Sequence, residues 1–355
     1  MRVLNYLELE GPLERSGIGA AADHQRRALL GECGRSEGTD IDVVTDPWGD
    51  SLRSVAKRLR HERSPTVEYD IAHCNAIGPG SLVVARDAMR TDTPLVLHAH
   101  VTREDFRDSF RWSNALSGPL GGYLKRFYSQ ADLVLCPSEQ TRRHLEAYPV
   151  SAPIEPITNG VDHRSLEGVV SRRENARDRF DLHGLVAFAV GNVFERKGLG
   201  TFCRLAQRTP YSFVWFGPYD RGPQASPTVR RLTANPPPDV RFTGWIEDKR
   251  DAFAAGDVFV FPTHAENQGI AVLEAMACGK PVVLRDLPVF REFYTDGVDC
   301  LLCSSEDEFC AALEILAANP DRRRELGENA RKTAAEHSLE RVRTRLLEVY
   351  ERLIT

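Results

Sequence analysis

Long apolar runs are missing from this chain: none approaches the roughly twenty residues that a membrane-spanning helix requires. The N-terminus, MRVLNYLELE, lacks a basic region, an apolar run of signal-peptide length and a small-residue cleavage site, so it reads as a strand and the expected location is cytoplasmic. Strong charge of one sign is also absent. A net charge of -5 is mild and gives the whole molecule no obvious nucleic-acid-binding character, and an anionic partner has to be met by a local basic patch. Lysine is scarce, with Lys57, Lys125, Lys197, Lys249, Lys280 and Lys332 the only six, so nearly all positive charge is arginine, a bias that genome composition explains as well as function does. Eight cysteines are scattered, several inside apolar segments such as LVLCPS and EAMACG, as reduced buried thiols are. Cys300 and Cys303 form one C-x-x-C without a second pair or a histidine cluster at ligand spacing, which speaks against zinc. No repeat or low-complexity segment stands out.

What is present is enough for two domains, since 355 residues with 42% apolar content furnish a core for each. Residues 1–163 alternate apolar strands (MRVLNYL, IDVVT, YDIAHCN, PLVLHAH, ADLVLCPS) with helices over GPLERSGIGAAADHQRRALL, Ser51 to His61, Pro79 to Met89 and Glu139 to Ala147. A polar, charged stretch from His163 to His183 marks the boundary. A second alternating series then fills 164–337, from LVAFAVGN through YSFVWFG, VRFTGW, DVFVFPT, VVL and CLLC. Apolar strands alternating with helices predict an α/β fold of two Rossmann-like, doubly wound parallel sheets, with a ligand cleft between them.

The stretch HAENQGIAVLEAMACGKP, His264 to Pro281, carries the chemistry. It follows the strand DVFVFPT and opens a helix expected to start near Gln268 or Gly269 and to end at Gly279. Glu266 lies in the entry loop. Glu274 lies inside the helix, one turn from Ile270, Ala271, Ala277 and Cys278, so this carboxylate shares the apolar stripe and needs a partner. Taken alone, the pair is equally well a helix-terminal acid and a structural ion pair. Taken together, a helix N-terminus formed by Gln268, Gly269 and Ile270 at a strand's C-terminal end can seat a phosphate, and Glu274 can accept hydrogen bonds from ribose hydroxyls. Upstream, GNVFERKG places Arg196 and Lys197 ahead of a helix, where they read either as a solvated turn or as a diphosphate clamp.

Glu266, Gly269, Glu274, Ala275, Ala277, Gly279, Pro281 and Val282 resemble the signature of the retaining glycosyltransferases of family 4, with two glutamates eight apart around a glycine. Asn267 and Gln268 depart from it, where many members have Gly followed by Phe or Ser; the departure bears on the sugar, not on the reaction class. The resemblance implies a GT-B fold whose last helix, here 338–355, returns to the N-terminal domain. It implies a nucleoside diphosphate sugar as donor, with Arg196 and Lys197 on its phosphates, Glu266 on the sugar hydroxyls and Glu274 on the ribose. Gly17, in GPLERSGIGAAADHQ, matches the family's glycine loop and a donor-side backbone contact. His100, in PLVLHAHVTREDF, lines up with a histidine that touches the donor sugar, leaving His98 as the structural one. Catalytic work is thus expected of Glu266, His100, Lys197 and Arg196. No cofactor or metal is expected, because protein cations and the helix dipole meet the phosphate charge, and Asp40 and Asp42, the one D-x-D, read as a surface turn.

From Thr102 to Tyr128 the chain interleaves Arg103, Arg107, Arg111, Lys125 and Arg126 with Phe106, Phe110, Trp112, Leu116, Leu120 and Tyr123. The mixture suits an anionic bilayer surface or an ordinary amphipathic helix pair. The pattern HxHxTxEDFRxSFR resembles the family members that glycosylate diacylglycerol-type lipids. The expected activity is transfer of a hexose to a hydroxyl acceptor, a membrane lipid or lipid-linked glycan, by a protein peripheral on the inner face of the cell membrane. A sugar-nucleotide epimerase of related two-domain shape and a non-catalytic sugar-nucleotide binding protein are the alternatives.

Overall fold

A computed structural model describes residues 1–32, 41–45 and 65–355. The chain divides into two compact units. The first comprises Met1–Arg103, Ser117–Gly160 and Ser338–Thr355; the second comprises Glu104–Leu116 and Val161–His337. The helix expected over Ser51 to His61, together with Lys57 and Asp40, lies outside the described residues.

The first unit holds a six-stranded parallel sheet in the order β2-β1-β3-β4-β5-β6. These strands are β1 Arg2–Tyr6, β2 Asp42–Val44, β3 Ile71–Cys74, β4 Leu95–His98, β5 Leu133–Cys136 and β6 Ile154–Pro156. Side chains alternate between its faces, as the period of two requires: Leu4, Tyr6, Leu95 and Leu97 join one core cluster, Val3 and Val96 another. The second cluster is closed by the helix Leu339–Ile354, which brings Leu339, Val342, Leu346, Val349 and Tyr350 onto it. Asp42 opens β2 and pairs with Arg2 at 2.8 Å.

The second unit repeats the plan with order β12-β11-β10-β7-β8-β9, all parallel. Its strands are β7 Val186–Val190, β8 Ser212–Phe216, β9 Val240–Gly244, β10 Val258–Phe261, β11 Val282–Arg285 and β12 Leu301–Cys303. Phe188, Phe259 and Phe261 enter one cluster while Ala187, Ala189, Val258 and Val260 enter the other, so both faces are covered. The winding direction reverses between β7 and β10. Sheets of this kind open a crevice at such a switch point, beyond the carboxyl ends of the two strands.

The polar stretch from His163 to His183, read as the boundary, is folded onto the second unit by arginines: Arg172 and Arg179 reach Asp251 at 2.8 and 3.0 Å, and Arg177 reaches Asp257 at 3.1 Å. One expectation changes. The segment Glu104–Leu116, expected with the N-terminal half, groups with the second unit. Backbone bonds hold it there, from Arg196 N to Asp108 O and from Arg111 N to Gln224 O, each 3.0 Å. Among the described residues no helix is long and apolar enough to cross a membrane, and the seven described cysteines are unpaired.

Candidate active site

The loop after β7 and the loop after β10 meet through a glycine. Gly198 has φ +79°, and a Cβ there would stand 2.1 Å from Pro262 O, so the turn that follows Arg196 and Lys197 lies against the end of β10 only because no side chain intervenes. His264 N donates to Arg196 O at 2.7 Å, closing the approach.

That contact gathers four charges. The Arg196 guanidinium is buried; its Nη1 stands 2.7 Å from Asp105 Oδ1, 2.6 Å from Ala265 O and 3.4 Å from Glu266 Oε1. Lys197 Nζ donates to Glu266 Oε1 and lies 5.0 Å from the Phe261 ring centroid. Thr263 Oγ1 is 3.1 Å from the same Glu266 oxygen. Two cations and two carboxylates thus share one space, with the side chains of Arg196 and Glu266 buried and those of Lys197 and Asp105 keeping 17% and 22% exposed. Burial would lift the Glu266 carboxyl, but Lys197 and Arg196 outweigh it and hold it below the usual range. For Asp105 burial prevails, backed by Glu266, and its carboxyl is pushed up against the pull of Arg196 and Lys197. Burial likewise draws the Lys197 ammonium below its ordinary value, with Glu266 opposing.

The motif helix spans Ile270–Ala277, slightly shorter than expected at both ends. Gly269, at φ +89°, is its N-cap and has no side chain with which to cap the first turn. Gln268 before it is buried. Glu274 is buried as well, and Lys249 Nζ donates to its Oε1 at 2.6 Å. Arg196, Lys197 and Glu266 are therefore in mutual contact, while Glu274 has a cation of its own.

Gly17 and His100 belong to the first unit. Gly17 begins the helix Gly17–Leu29, with open space where its Cβ would be, and Ser16 Oγ accepts from Gly19 N at 3.2 Å. His100 follows β4, buried, its ring stacked on His98 at 4.2 Å between centroids and its Nε2 3.0 Å from Asn75 Oδ1. His98 Nδ1 stands 2.9 Å from Gln25 Nε2 and 3.3 Å from His73 Nε2. Sequence reasoning missed Asp105, Thr263 and Lys249; Asp105 and Lys249 were visible only as members of charged runs.

Residues 184–319 match the family model described as glycosyl transferases group 1, and residues 36–165 match the model for glycosyltransferase family 4. A processive diacylglycerol alpha-glucosyltransferase of Acholeplasma laidlawii is 29% identical, the similarity covering 100% of this chain and 99% of the relative. The chain belongs to the family 4 glycosyltransferases. This transferase is also 28% identical to the alpha-galactosylglucosyldiacylglycerol synthase of Streptococcus pneumoniae, over 81% of the chain and 78% of the relative. Its fold is GT-B. The crystal structure of Anabaena Alr3699/HepE in complex with UDP and glucose superposes with a TM-score of 0.76 at 20% identity, covering 99% of this chain and 100% of that one.

Proposed function

We propose that this glycosyltransferase moves a hexose from a nucleoside diphosphate sugar to a hydroxyl of a membrane lipid or lipid-linked glycan, with retention of anomeric configuration. The observation that carries the reading is the meeting of Arg196, Lys197 and Glu266 at the carboxyl ends of β7 and β10, where the sheet's winding reverses. As the bond from the anomeric carbon to the β-phosphate oxygen breaks, the diphosphate gains negative charge. Arg196, Lys197 and the N-terminal turn of helix Ile270–Ala277, with Gln268 and Gly269 at its entrance, stabilise it. Glu266 orients the sugar hydroxyls, Glu274 accepts from the ribose, His100 meets the sugar and Gly17 lends its backbone. No metal is part of this scheme.

The lipid acceptor is supported by the two diacylglycerol-directed relatives and by an exposed basic and aromatic segment. Trp112 and Leu116 are 57% and 49% exposed, and Arg107, Arg111, Lys125 and Arg126 are exposed too. Neither the epimerase nor the non-catalytic alternative is favoured by membership of a transferase family. Incubation with UDP-, GDP- and ADP-hexoses and diacylglycerol vesicles tests the proposal. A glycolipid whose anomeric proton coupling matches the donor's is the expected product; an inverted linkage overturns retention, and a sugar isomerised on its nucleotide without transfer restores the epimerase.

A further inference from the structure

Asp105 stands outside every motif quoted above, yet it makes a closer ion pair with Arg196 than Glu266 does, 2.7 against 3.4 Å. We propose that Asp105 is the counter-anion of the donor site: it neutralises the Arg196 guanidinium before the donor binds and yields it to the diphosphate by taking up a proton. The inference rests on the proposed binding of a nucleoside diphosphate sugar at this cluster.

The charge balance argues for it. Arg196 and Lys197 are matched one for one by Asp105 and Glu266. A nucleoside diphosphate sugar adds two negative charges to four groups already in balance, and giving up one carboxylate charge halves that excess. Of the two carboxylates, Glu266 is tied to Lys197 as well as to Arg196 and close to Thr263 Oγ1, and is held in its charged form. Asp105 is the one burial drives toward neutrality. Among the groups acting on it are Arg196 and Lys197 from the loop after β7 and Glu266 from the loop after β10; its own segment carries Arg103, Glu104, Arg107 and Asp108.

Arg196 does not depend on Asp105 for its place. Its Nη1 also donates to Ala265 O at 2.6 Å, its Nε to Ser109 Oγ at 3.3 Å and its backbone N to Asp108 O at 3.0 Å. Removing the Asp105 charge therefore changes what the guanidinium is paired with rather than where it is. Asp105 is a positioning residue whose action is electrostatic.

Calorimetric titration of UDP-, GDP- and ADP-hexoses, between pH 6 and 8 and in two buffers of different ionisation enthalpy, reads the proton directly, because the diphosphate diester does not titrate in that range. The wild type is expected to take up close to one proton, its affinity falling about tenfold per pH unit as pH rises. Asp105→Asn, with Asp105→Ser as a second variant should the first unfold, is expected to bind without uptake and, being fixed in the neutral form the wild type reaches only by protonation, at least about 100-fold more tightly at pH 8. A wild type that binds none of the three sugars overturns the donor reading and this inference with it. A wild type that binds one without proton uptake, or variants that keep the uptake, overturns the role of Asp105 alone.

Discussion

Lys249 Nζ lies 2.6 Å from Glu274 Oε1, so the carboxylate that the sequence puts on the apolar side of the motif helix is met by a cation 25 positions earlier. The pair bears on how Glu274 can be tested. Glu274→Ala is expected to weaken donor binding by about 1 to 3 kcal/mol, the cost of leaving ribose hydroxyls without an acceptor. Lys249→Ala leaves a buried carboxylate without its cation and is expected to lower stability by about 1 to 2 kcal/mol, the lysine side chain itself being 38% exposed. The double variant Lys249→Met/Glu274→Leu separates the roles: melting recovers in either case, and donor affinity in calorimetry stays lost only if Glu274 holds the nucleotide. Recovery of both assigns Glu274 to the fold alone.

Lys197 is expected to act on turnover. Its ammonium touches Glu266 and faces the ring of Phe261, and its charge counts most as the diphosphate departs. Lys197→Ala should reduce kcat about 100-fold in saturating donor, in the range seen when a single stabilising donor is removed from a transition state. Wild-type kcat in that variant contradicts the assignment.

How much of this was legible in the chain differs by element. Strands such as VFVF and LVLC, apolar throughout, announce a parallel sheet covered on both faces. That the loops after β7 and β10 flank the switch point follows from the strand order, which no local pattern carries. The ion partners were not legible. Asp105 meets Arg196 across 91 positions of chain, and nothing local in REDF distinguishes the acid that turns toward the cluster from its neighbour Glu104. The arginines between Arg172 and Arg179 showed only as part of a polar boundary stretch because their carboxylates, Asp248, Asp251 and Asp257, come from another helix and its flanks.

The first unit is expected to be acid-labile. His73 and His100 are pushed down to about 3 by burial, and His98 is also held well below its ordinary value. The sign follows from linkage: below pH 6.5 the unfolded chain binds protons that the native histidines refuse, so stability present above 6.5 is lost as pH falls toward 3. Between pH 6.5 and 5, His73 and His100 each cost about 2 kcal/mol. Thermal melts across that range should fall steeply, and His73→Gln should flatten the slope. A melting temperature that does not change from pH 7 to 5 contradicts the neutral stack.

Membrane docking is the remaining prediction. Arg111 lies over the Trp112 ring at 5.2 Å, just before the helix Ser113–Tyr128, which carries Leu116, Lys125 and Arg126 on exposed positions. Apolar side chains left in water beside cations suit the boundary between acyl chains and anionic headgroups, where each basic residue contributes about 1 kcal/mol, screened by salt. Replacing Arg107, Arg111, Lys125 and Arg126 together by Gln should therefore release the protein from anionic liposomes in a sedimentation assay at low salt. Replacing Trp112 and Leu116 by Ser should weaken binding that survives at high salt, since the apolar contribution is not screened. Wild-type protein that ignores anionic liposomes and glycosylates a soluble hydroxyl acceptor equally well removes both the docking surface and the lipid acceptor.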